Sequence, residues 1–162
     1  MKIVPLTESH YPAVAAIYQE GIDTGHATFE TRASDWPTWD NGHLNHSRLC
    51  AVVENEIAGW VALTPVSERC VYGGVAEVSV YVGKKFRGMG IGKTLLDELI
   101  TSSETNGIWT LQAGIFPENL ASIKVHEQCG FRKVGYREKV GKMKDAWRDT
   151  VLLERRSKVV GV

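Results

Sequence analysis

The sequence has no excess of one charge and no long apolar run. Its 162 residues carry 19 basic and 19 acidic side chains, so no net charge attracts a polyanion or an anionic membrane. The uncharged apolar runs are no longer than a strand, and the first residues lack the apolar core of a signal peptide. We therefore predict a cytoplasmic protein that binds a small molecule and neither nucleic acid nor a membrane.

Cysteine and metal-ligand patterns are also sparse. Cys50, Cys70 and Cys129 form no C-x-x-C pair, and three thiols cannot all pair with one another. No base at a recognisable spacing marks one of them as a catalytic nucleophile. His43 and His46 are the only close pair of histidines, without a Cys or Glu ligand at zinc-site spacing. We predict buried thiols and no metal.

The hydrophobic periodicity indicates one α/β domain over residues 1–162, since no repeat or linker interrupts the chain. Helical spacing occurs near residues 7–21, 34–48, 90–105 and 119–129. Strand patterns occur near residues 2–6, 49–53, 57–63, 75–82, 108–115, 131–138 and 148–154. Residues 21–31 show no clear period, which predicts a loop or a broken helix.

The most informative segment joins a β-branched strand to an amphipathic helix through Gly88, Gly90 and Gly92. Glycines at alternate positions let consecutive backbone N–H groups close around a ligand without interference from Cβ atoms. The helix that follows points the positive end of its dipole at the same place. The segment therefore predicts a cradle for a pyrophosphate.

Three kinds of glycine loop could serve this purpose. A Walker A loop ending at Gly92 would need a glycine where the chain has Arg87, and the dinucleotide pattern G-x-G-x-x-G would need one at Lys93 or Leu95. The pattern Arg-x-x-Gly-x-Gly, from Arg87 to Gly92 after a Val-Tyr-Val strand, does fit. It resembles the acetyl-coenzyme A motif of the GNAT N-acetyltransferases.

A second segment carries the same resemblance. Residues Asn119–Phe131 are similar to the Asn-x-Ala-Ser/Ala helix ending in Gly-Phe that GNAT members share, and the two motifs stand in the family's order. The resemblance covers nearly the whole chain. It implies the GNAT fold, an α/β domain with a mixed, mostly antiparallel central sheet flanked by helices, and acetyl-coenzyme A as the co-substrate.

The resemblance also implies the contacts to this co-substrate. The backbone N–H groups of Val80, Tyr81 and Val82 would pair with the pantetheine arm and polarise the thioester carbonyl. Asn119 would reach the pantetheine or phosphate arm. The pyrophosphate would lie on Arg87, Gly88, Met89, Gly90, Ile91, Gly92 and Lys93.

Two shorter matches resemble the phosphinothricin acetyltransferase branch. His126 stands in a Met-His-Glu-like context, and Glu77 and Ser79 in a Val-Glu-x-Ser/Thr-Val-Tyr-like one. An α-amine is mostly ammonium at neutral pH, so Glu77 is the candidate base, acting directly or through water. The alternatives are that Glu77 binds the substrate ammonium or is simply solvated at the end of its strand. His126 is the candidate acid for the departing thiolate, or packs beside the cofactor with local hydrogen bonds only.

The acceptor end of the resemblance includes Arg69 and Tyr72, which match the branch's Arg-x-x-Tyr, and Phe29, which matches its substrate loop. A guanidinium binds a carboxylate or a tetrahedral phosphinate bidentately. Together with Glu77 and Ser79, these residues form the predicted acceptor site. The alternatives are a solvated Arg69 and a Phe29 that only anchors its loop to the core.

The segments Gly21–Thr31, Gly141–Met143 and Trp147–Asp149 are similar to arsinothricin N-acetyltransferases within this branch. The implied reaction acetylates the α-amine of a glutamate-like toxic amino acid, arsinothricin or phosphinothricin, and so confers resistance. The alternatives are an enzyme acting on methionine sulfoximine or sulfone, one acting on a protein N-terminus or a polyamine, and a catalytically silent acetyl-coenzyme A-binding module. The branch also implies a homodimer, with Trp147 in a loop near the partner.

Overall fold

The computed structural model describes residues 1–162 as one mixed sheet with helices on both faces. The strands are β1 (Lys2–Pro5), β2 (Leu49–Val53), β3 (Glu56–Pro65), β4 (Val75–Val82), β5 (Thr110–Ile115), β6 (Arg132–Met143) and β7 (Ala146–Arg156). The helices are α1 (Tyr11–Asp23), α2 (Trp36–Gly42), α3 (Ile91–Thr105) and α4 (Leu120–Gln128). None of these helices is both long enough and apolar enough to cross a membrane.

The seven strands pair in the order β1-β2-β3-β4-β5-β7-β6. Every neighbouring pair is antiparallel except β4 and β5, which run parallel. The sequence-based prediction of an α/β fold with a mixed, mostly antiparallel sheet is therefore confirmed. The parallel pair is the exception on which the site depends.

Two apolar clusters lie on opposite faces of the sheet, as alternation along β3 requires. Val61 and Leu63 point into the larger cluster with α3, while Trp60 and Ala62 point into the smaller cluster with α1 and α2. All four side chains are buried. This packing holds β3 in place. Because β4 pairs antiparallel with β3, this packing also positions β4, the strand that carries the candidate base.

The structure corrects two of the predicted segments. Helix α2 ends at Gly42 rather than near residue 48, because His43 is extended and the N–H of Leu44 donates to the carbonyl of Leu63 on β3 (2.8 Å). The helix also begins at Trp36 rather than at residue 34, because Asp35 caps it with a carboxylate that accepts from the N–H of Thr38 (3.0 Å).

The prediction that Trp147 lies in a loop before the last strand is also wrong. It lies in β7, because the last hairpin is longer than the apolar pattern indicates and pairs Lys142 with Trp147. Nearly all of β6 is exposed, so its polar residues gave no alternation from which its full length could be read.

Candidate active site

The site begins where β4 and β5 part. These strands pair only through Val75, Ala76 and Glu77, opposite Thr110, Leu111 and Gln112. Beyond Glu77, β4 stays paired with β3 but has no strand partner on its other edge. The opening holds a cavity of about 920 Å³, lined by α1, the segment of residues 24–29, β4, the glycine loop, β5 and α4. A strand edge with free backbone groups in a cavity can hydrogen-bond an extended ligand.

The glycine loop forms one end of this cavity. Gly88 and Gly90 have φ values of 80° and 76°, the left-handed region that glycine adopts without steric cost. No heavy atom lies within 4 Å of the place where either Cβ would stand. Gly90 is also the N-cap of α3, so the first N–H groups of that helix face the loop. The loop therefore has the shape and polarity predicted for an anion cradle.

Most of the predicted cofactor-binding residues line this cavity. They are Val80, Tyr81, Val82, Arg87, Gly88, Gly90, Ile91, Gly92, Lys93 and Asn119. Met89 does not line it, and its side chain is 60% exposed. The Arg87 guanidinium donates to the carbonyl of Val82 (3.3 Å). Lys93 pairs with Asp97 (2.6 Å), and this bond raises the pKa of Lys93.

Glu77 lies at the point where the two strands separate. Gln112, opposite it on β5, donates from Nε2 to one carboxylate oxygen, Oε2 (3.3 Å). The other oxygen, Oε1, accepts no hydrogen bond from the protein, and a Cβ on Gly114 would lie 3.9 Å from it. The side chains of Glu77 and Ser79 share one face of β4, and both line the cavity. One carboxylate oxygen is thus held and the other is free to accept a proton.

His126 is buried in α4, with 2% of its surface exposed, and it lines the cavity. Its Nδ1 lies 2.7 Å from the carbonyl oxygen of Ser122, so Nδ1 carries the hydrogen and donates. Nε2 then bears a lone pair, and no protein atom bonds to it. Burial lowers the pKa of His126, which favours the neutral ring. The predicted acid role would require a second proton on this ring, whereas its geometry suits a hydrogen-bond acceptor.

Two histidines, the buried His126 and the partly exposed His43, predict acid sensitivity. Burial lowers the pKa of both His126 and His43, whose Nδ1 atoms donate to the carbonyls of Ser122 and Trp39. Below pH 6.5 the unfolded chain binds protons that the folded rings resist, so stability is lost as pH falls from there towards the folded pKa values. Each group can remove up to about 1.4 kcal/mol per pH unit from the free energy of unfolding.

Urea unfolding at pH 7.5, 6.5 and 5.5 measures this loss. His126→Asn and His43→Asn keep a donor in the place of Nδ1 and are expected to flatten the pH dependence. His10→Asn, a change at a partly exposed histidine, is the control. If the free energy of unfolding depends on pH as steeply in His126→Asn and in His43→Asn as in the wild type, the prediction is contradicted.

Asn119 joins two walls of the cavity. Its side-chain oxygen accepts from the N–H of Ser122 (3.2 Å) and so caps α4, while its amide nitrogen donates to the carbonyl of His26 (3.2 Å). Both ends of the side chain are therefore used within the protein. The predicted contact between Asn119 and the cofactor stays a prediction.

Phe29 lines the same cavity as the glycine loop, from the segment of residues 24–29. Its ring meets that of Phe116 edge-on, with centroids 4.9 Å apart. A Cβ on Gly141 would lie 2.7 Å from the ring, so only glycine at 141 allows this position. The predicted contact between Phe29 and the acceptor stays a prediction.

Arg69 and Tyr72 lie outside the cavity, in the connection between β3 and β4. Both side chains are exposed, and the Arg69 guanidinium stands 5.6 Å from the centroid of the Tyr72 ring. The structure does not bring this pair together with Glu77 within one chain. Their predicted contact with the acceptor stays a prediction.

Sequence reasoning missed several residues of the cavity and its supports. Gln112 holds Glu77, and the ring of Tyr81 lies on α1 where a Cβ on Gly21 would be 2.7 Å from it. Arg148 bonds the segment of residues 24–29. Only Gly21 left a signal in the sequence, where it indicated the end of the first helix; the helix instead continues to Asp23.

Comparison with known proteins agrees with this geometry. Residues 14–131 match the acetyltransferase (GNAT) family. The phosphinothricin N-acetyltransferase of Alcaligenes faecalis is 35% identical over 154 residues, which cover 89% of this chain and 76% of that protein. The L-methionine sulfoximine/L-methionine sulfone acetyltransferase of Pseudomonas aeruginosa PAO1 is 35% identical over 149 residues, which cover 88% and 87%.

Solved structures share the fold. The ribosomal-protein-alanine N-acetyltransferase of Brucella melitensis superposes with a TM-score of 0.88 at 30% identity, covering 97% of this chain and 100% of that one. A phosphinothricin acetyltransferase of Sinorhizobium meliloti, crystallised with acetyl-coenzyme A, gives a TM-score of 0.87 at 24% identity, with 99% and 90% covered. By its sequence and its fold, this chain belongs to the GNAT acetyltransferase family and is an acyltransferase.

Proposed function

We propose that this enzyme uses acetyl-coenzyme A to acetylate the α-amino group of a glutamate-like amino acid with a tetrahedral anionic head, arsinothricin or phosphinothricin. A single observation carries the proposal. One carboxylate, Glu77, stands where β4 and β5 part, with a free strand edge and a glycine cradle beyond it in the same cavity. The base and the donor site are therefore adjacent.

In the proposed donor complex, the pantetheine arm lies along the free edge of β4 and the pyrophosphate lies on the glycine loop. Backbone N–H groups at residues 80–82 would polarise the thioester carbonyl and stabilise the tetrahedral oxyanion. The structure of the Sinorhizobium meliloti relative with acetyl-coenzyme A supports this choice of donor for the shared fold. The acetyl group supplied by the donor then passes directly to the amine.

Glu77 would take the proton that the acceptor ammonium must lose before it attacks, directly or through a water molecule. Glu77 lines the cavity, and one of its carboxylate oxygens accepts from no protein group while Gln112 holds the other. His126, neutral and buried, would accept a hydrogen bond at Nε2. A thiolate is a stable leaving group, so the reaction does not depend on an acid at this position.

The acceptor class rests on the relatives. Both the Alcaligenes faecalis and the Pseudomonas aeruginosa enzymes are named for amino acids with a tetrahedral phosphorus or sulfur head. Methionine sulfoximine or sulfone is the second candidate, favoured by the equal identity of 35% to both relatives. A protein N-terminus is the third, favoured by the Brucella melitensis structure.

The deciding experiment measures coenzyme A release with a thiol reagent. The acceptors are arsinothricin, phosphinothricin, methionine sulfoximine, glutamate, a polyamine and a peptide with an N-terminal alanine, compared by kcat/KM. Preference for the arsinate or the phosphinate supports the proposal, and preference for the sulfoximine or the peptide replaces it. Calorimetric binding of acetyl-coenzyme A without release on any acceptor would indicate a binding module instead.

Arg69 gives a sharper test of the acceptor's charge. We propose that its guanidinium binds the anionic head once the β3–β4 connection, or a second copy of the chain, brings it to the cavity. Arg69→Ala is expected to lower kcat/KM for phosphinothricin about 10–100-fold, the loss of a charge-assisted contact. The uncharged sulfoximine should be much less affected. Arg137→Ala, at an exposed arginine on β6, is the control, and equal losses on both acceptors would contradict the role.

We also propose a homodimer. The outer strand β6 has no partner on its free edge, and Val134, Tyr136 and Trp147 expose large apolar surfaces on its hairpin. An exposed sheet edge with apolar side chains is a surface that proteins commonly cover. Light scattering at micromolar concentration should give twice the mass of the 17.9 kDa chain.

A further inference from the structure

Arg148, on β7, contacts three parts of the cavity wall although the sequence gave it no role. Its side chain is 15% exposed. Nη1 donates to the carbonyl of Gly25 (2.8 Å), and Nη2 donates to Nδ1 of His26 (3.1 Å). Nη2 also lies 3.4 Å from the carboxylate of Glu118. The guanidinium stacks over Phe116, with Cζ 4.1 Å from the ring centroid.

These contacts determine the tautomer of His26. Arginine has only donors, so Nδ1 of His26 must accept and the ring hydrogen lies on Nε2. A hydrogen on Nδ1 would point at the positively charged guanidinium of Arg148. The charged and polar groups around the ring are Arg148, Glu118 and the amide of Asn119, which donates to the His26 carbonyl. His26 is one of the residues that line the cavity, and its Nε2–H is the donor left over by the contact with Arg148.

The same strand pair also places Phe29. Gly141 on β6 stands opposite Arg148 on β7, and it leaves room for the Phe29 ring. That ring meets Phe116, which in turn carries the Arg148 guanidinium. One rung of the last hairpin thus fixes both ends of the segment of residues 25–29.

We propose that Arg148 is a positioning residue for the acceptor. It holds residues 24–29 against the cavity and keeps the Nε2–H of His26 as a donor to an anionic group of the amino-acid acceptor. An imidazole N–H is a hydrogen-bond donor that suits a carboxylate or a tetrahedral oxyanion. The acceptor part of this inference rests on the proposed function, whereas the loop and the tautomer do not.

The experiment uses the full chain with Arg148→Met, Arg148→Lys, His26→Gln and His26→Ala. Arg132→Met is the control, because it removes an arginine that pairs with Glu154 on the same hairpin at an exposed site. Two readouts need no substrate. They are amide hydrogen exchange of residues 24–29 and the His26 ring tautomer from ¹⁵N chemical shifts. The third readout is KM for acceptor and for acetyl-coenzyme A, with kcat.

We expect wild-type His26 to carry its hydrogen on Nε2, and exchange in residues 24–29 to rise about 10-fold in Arg148→Met. Acceptor KM should rise about 10-fold in Arg148→Met and in His26→Ala, with KM for acetyl-coenzyme A and kcat little changed. His26→Gln places an amide N–H near Nε2 and should restore most of the acceptor affinity. Arg148→Lys keeps a single donor group, so its exchange rate and its acceptor KM should lie between those of the wild type and Arg148→Met.

Several results would overturn the inference. They are an Nδ1–H tautomer, unchanged exchange in Arg148→Met and Arg148→Lys, or a looser segment with an unchanged acceptor KM. If Arg148→Met does not fold, Arg148→Lys and the two His26 variants decide. A wild-type enzyme silent on every acceptor would remove the proposed function, while exchange and tautomer would still decide whether Arg148 holds the loop.

Discussion

Replacing Glu77 by glutamine is expected to lower kcat/KM for acetyl transfer about 10²–10⁴-fold, the range for loss of a general base. Glutamine has nearly the same shape, but its amide cannot take the proton that the acceptor ammonium must lose. The free oxygen of Glu77 is the group that the substitution changes, and the β4 backbone stays as it is. KM for acetyl-coenzyme A should therefore be unchanged, and coenzyme A release measures both constants.

Gln112→Leu is the matched comparison. It removes the one protein hydrogen bond to the Glu77 carboxylate but leaves the carboxylate in place. A hydrogen bond to a charged group contributes about 1.5–3 kcal/mol, so a loss of about 10–100-fold is expected, at or below the low end of the range for Glu77→Gln. If Glu77→Gln costs no more than Gln112→Leu, the carboxylate binds or orients the acceptor and does not act as the base.

Replacing Gly90 by alanine should raise KM for acetyl-coenzyme A about 10–100-fold, the loss of one charge-assisted hydrogen bond to a phosphate. At φ 76° an alanine is strained by about 1–2 kcal/mol. Its methyl group would also enter the open space at the N-terminus of α3, where the pyrophosphate is proposed to lie. Kinetics with varied acetyl-coenzyme A measure this effect.

Gly107→Ala separates strain from binding. Gly107 follows α3 with φ 80°, and no atom lies within 4 Å of its would-be Cβ, as at Gly90. The two variants should lose similar free energies of unfolding in urea, while only Gly90→Ala should weaken the binding of acetyl-coenzyme A. A similar rise of KM for acetyl-coenzyme A in both variants would assign the effect to general destabilisation. Gly90 would then not be part of the pyrophosphate site.

The donor half of the site could be predicted because its signal is local. The strand, the three glycines and the amphipathic helix follow one another, so backbone conformation and helix dipole can be read from neighbouring residues. The structure places this loop in the cavity with the expected left-handed glycines, Gly88 and Gly90. Only Met89 points elsewhere.

The acceptor half depends on contacts between residues far apart in the sequence. Gln112 meets Glu77 through the register of the parallel pair, and Arg148 meets His26 across 122 positions. Neither alternation nor helical spacing encodes such registers. The misplacement of Trp147 has a different origin, because its pairing with Lys142 is local but the mostly exposed β6 shows no apolar pattern that sets the length of the last hairpin.

The separation of β4 from β5 bears on how such an enzyme can diversify. A donor site made of main-chain N–H groups is unaffected by most point substitutions, because every residue except proline supplies that group. The proposed acceptor wall, in contrast, consists of side chains such as Phe29 and His26 and of the space at Gly141. Under that proposal, changes there would alter which acceptor is recognised and would leave the acetyl donor bound. Relatives named for phosphinothricin, methionine sulfoximine and ribosomal-protein alanine on one fold agree with that division.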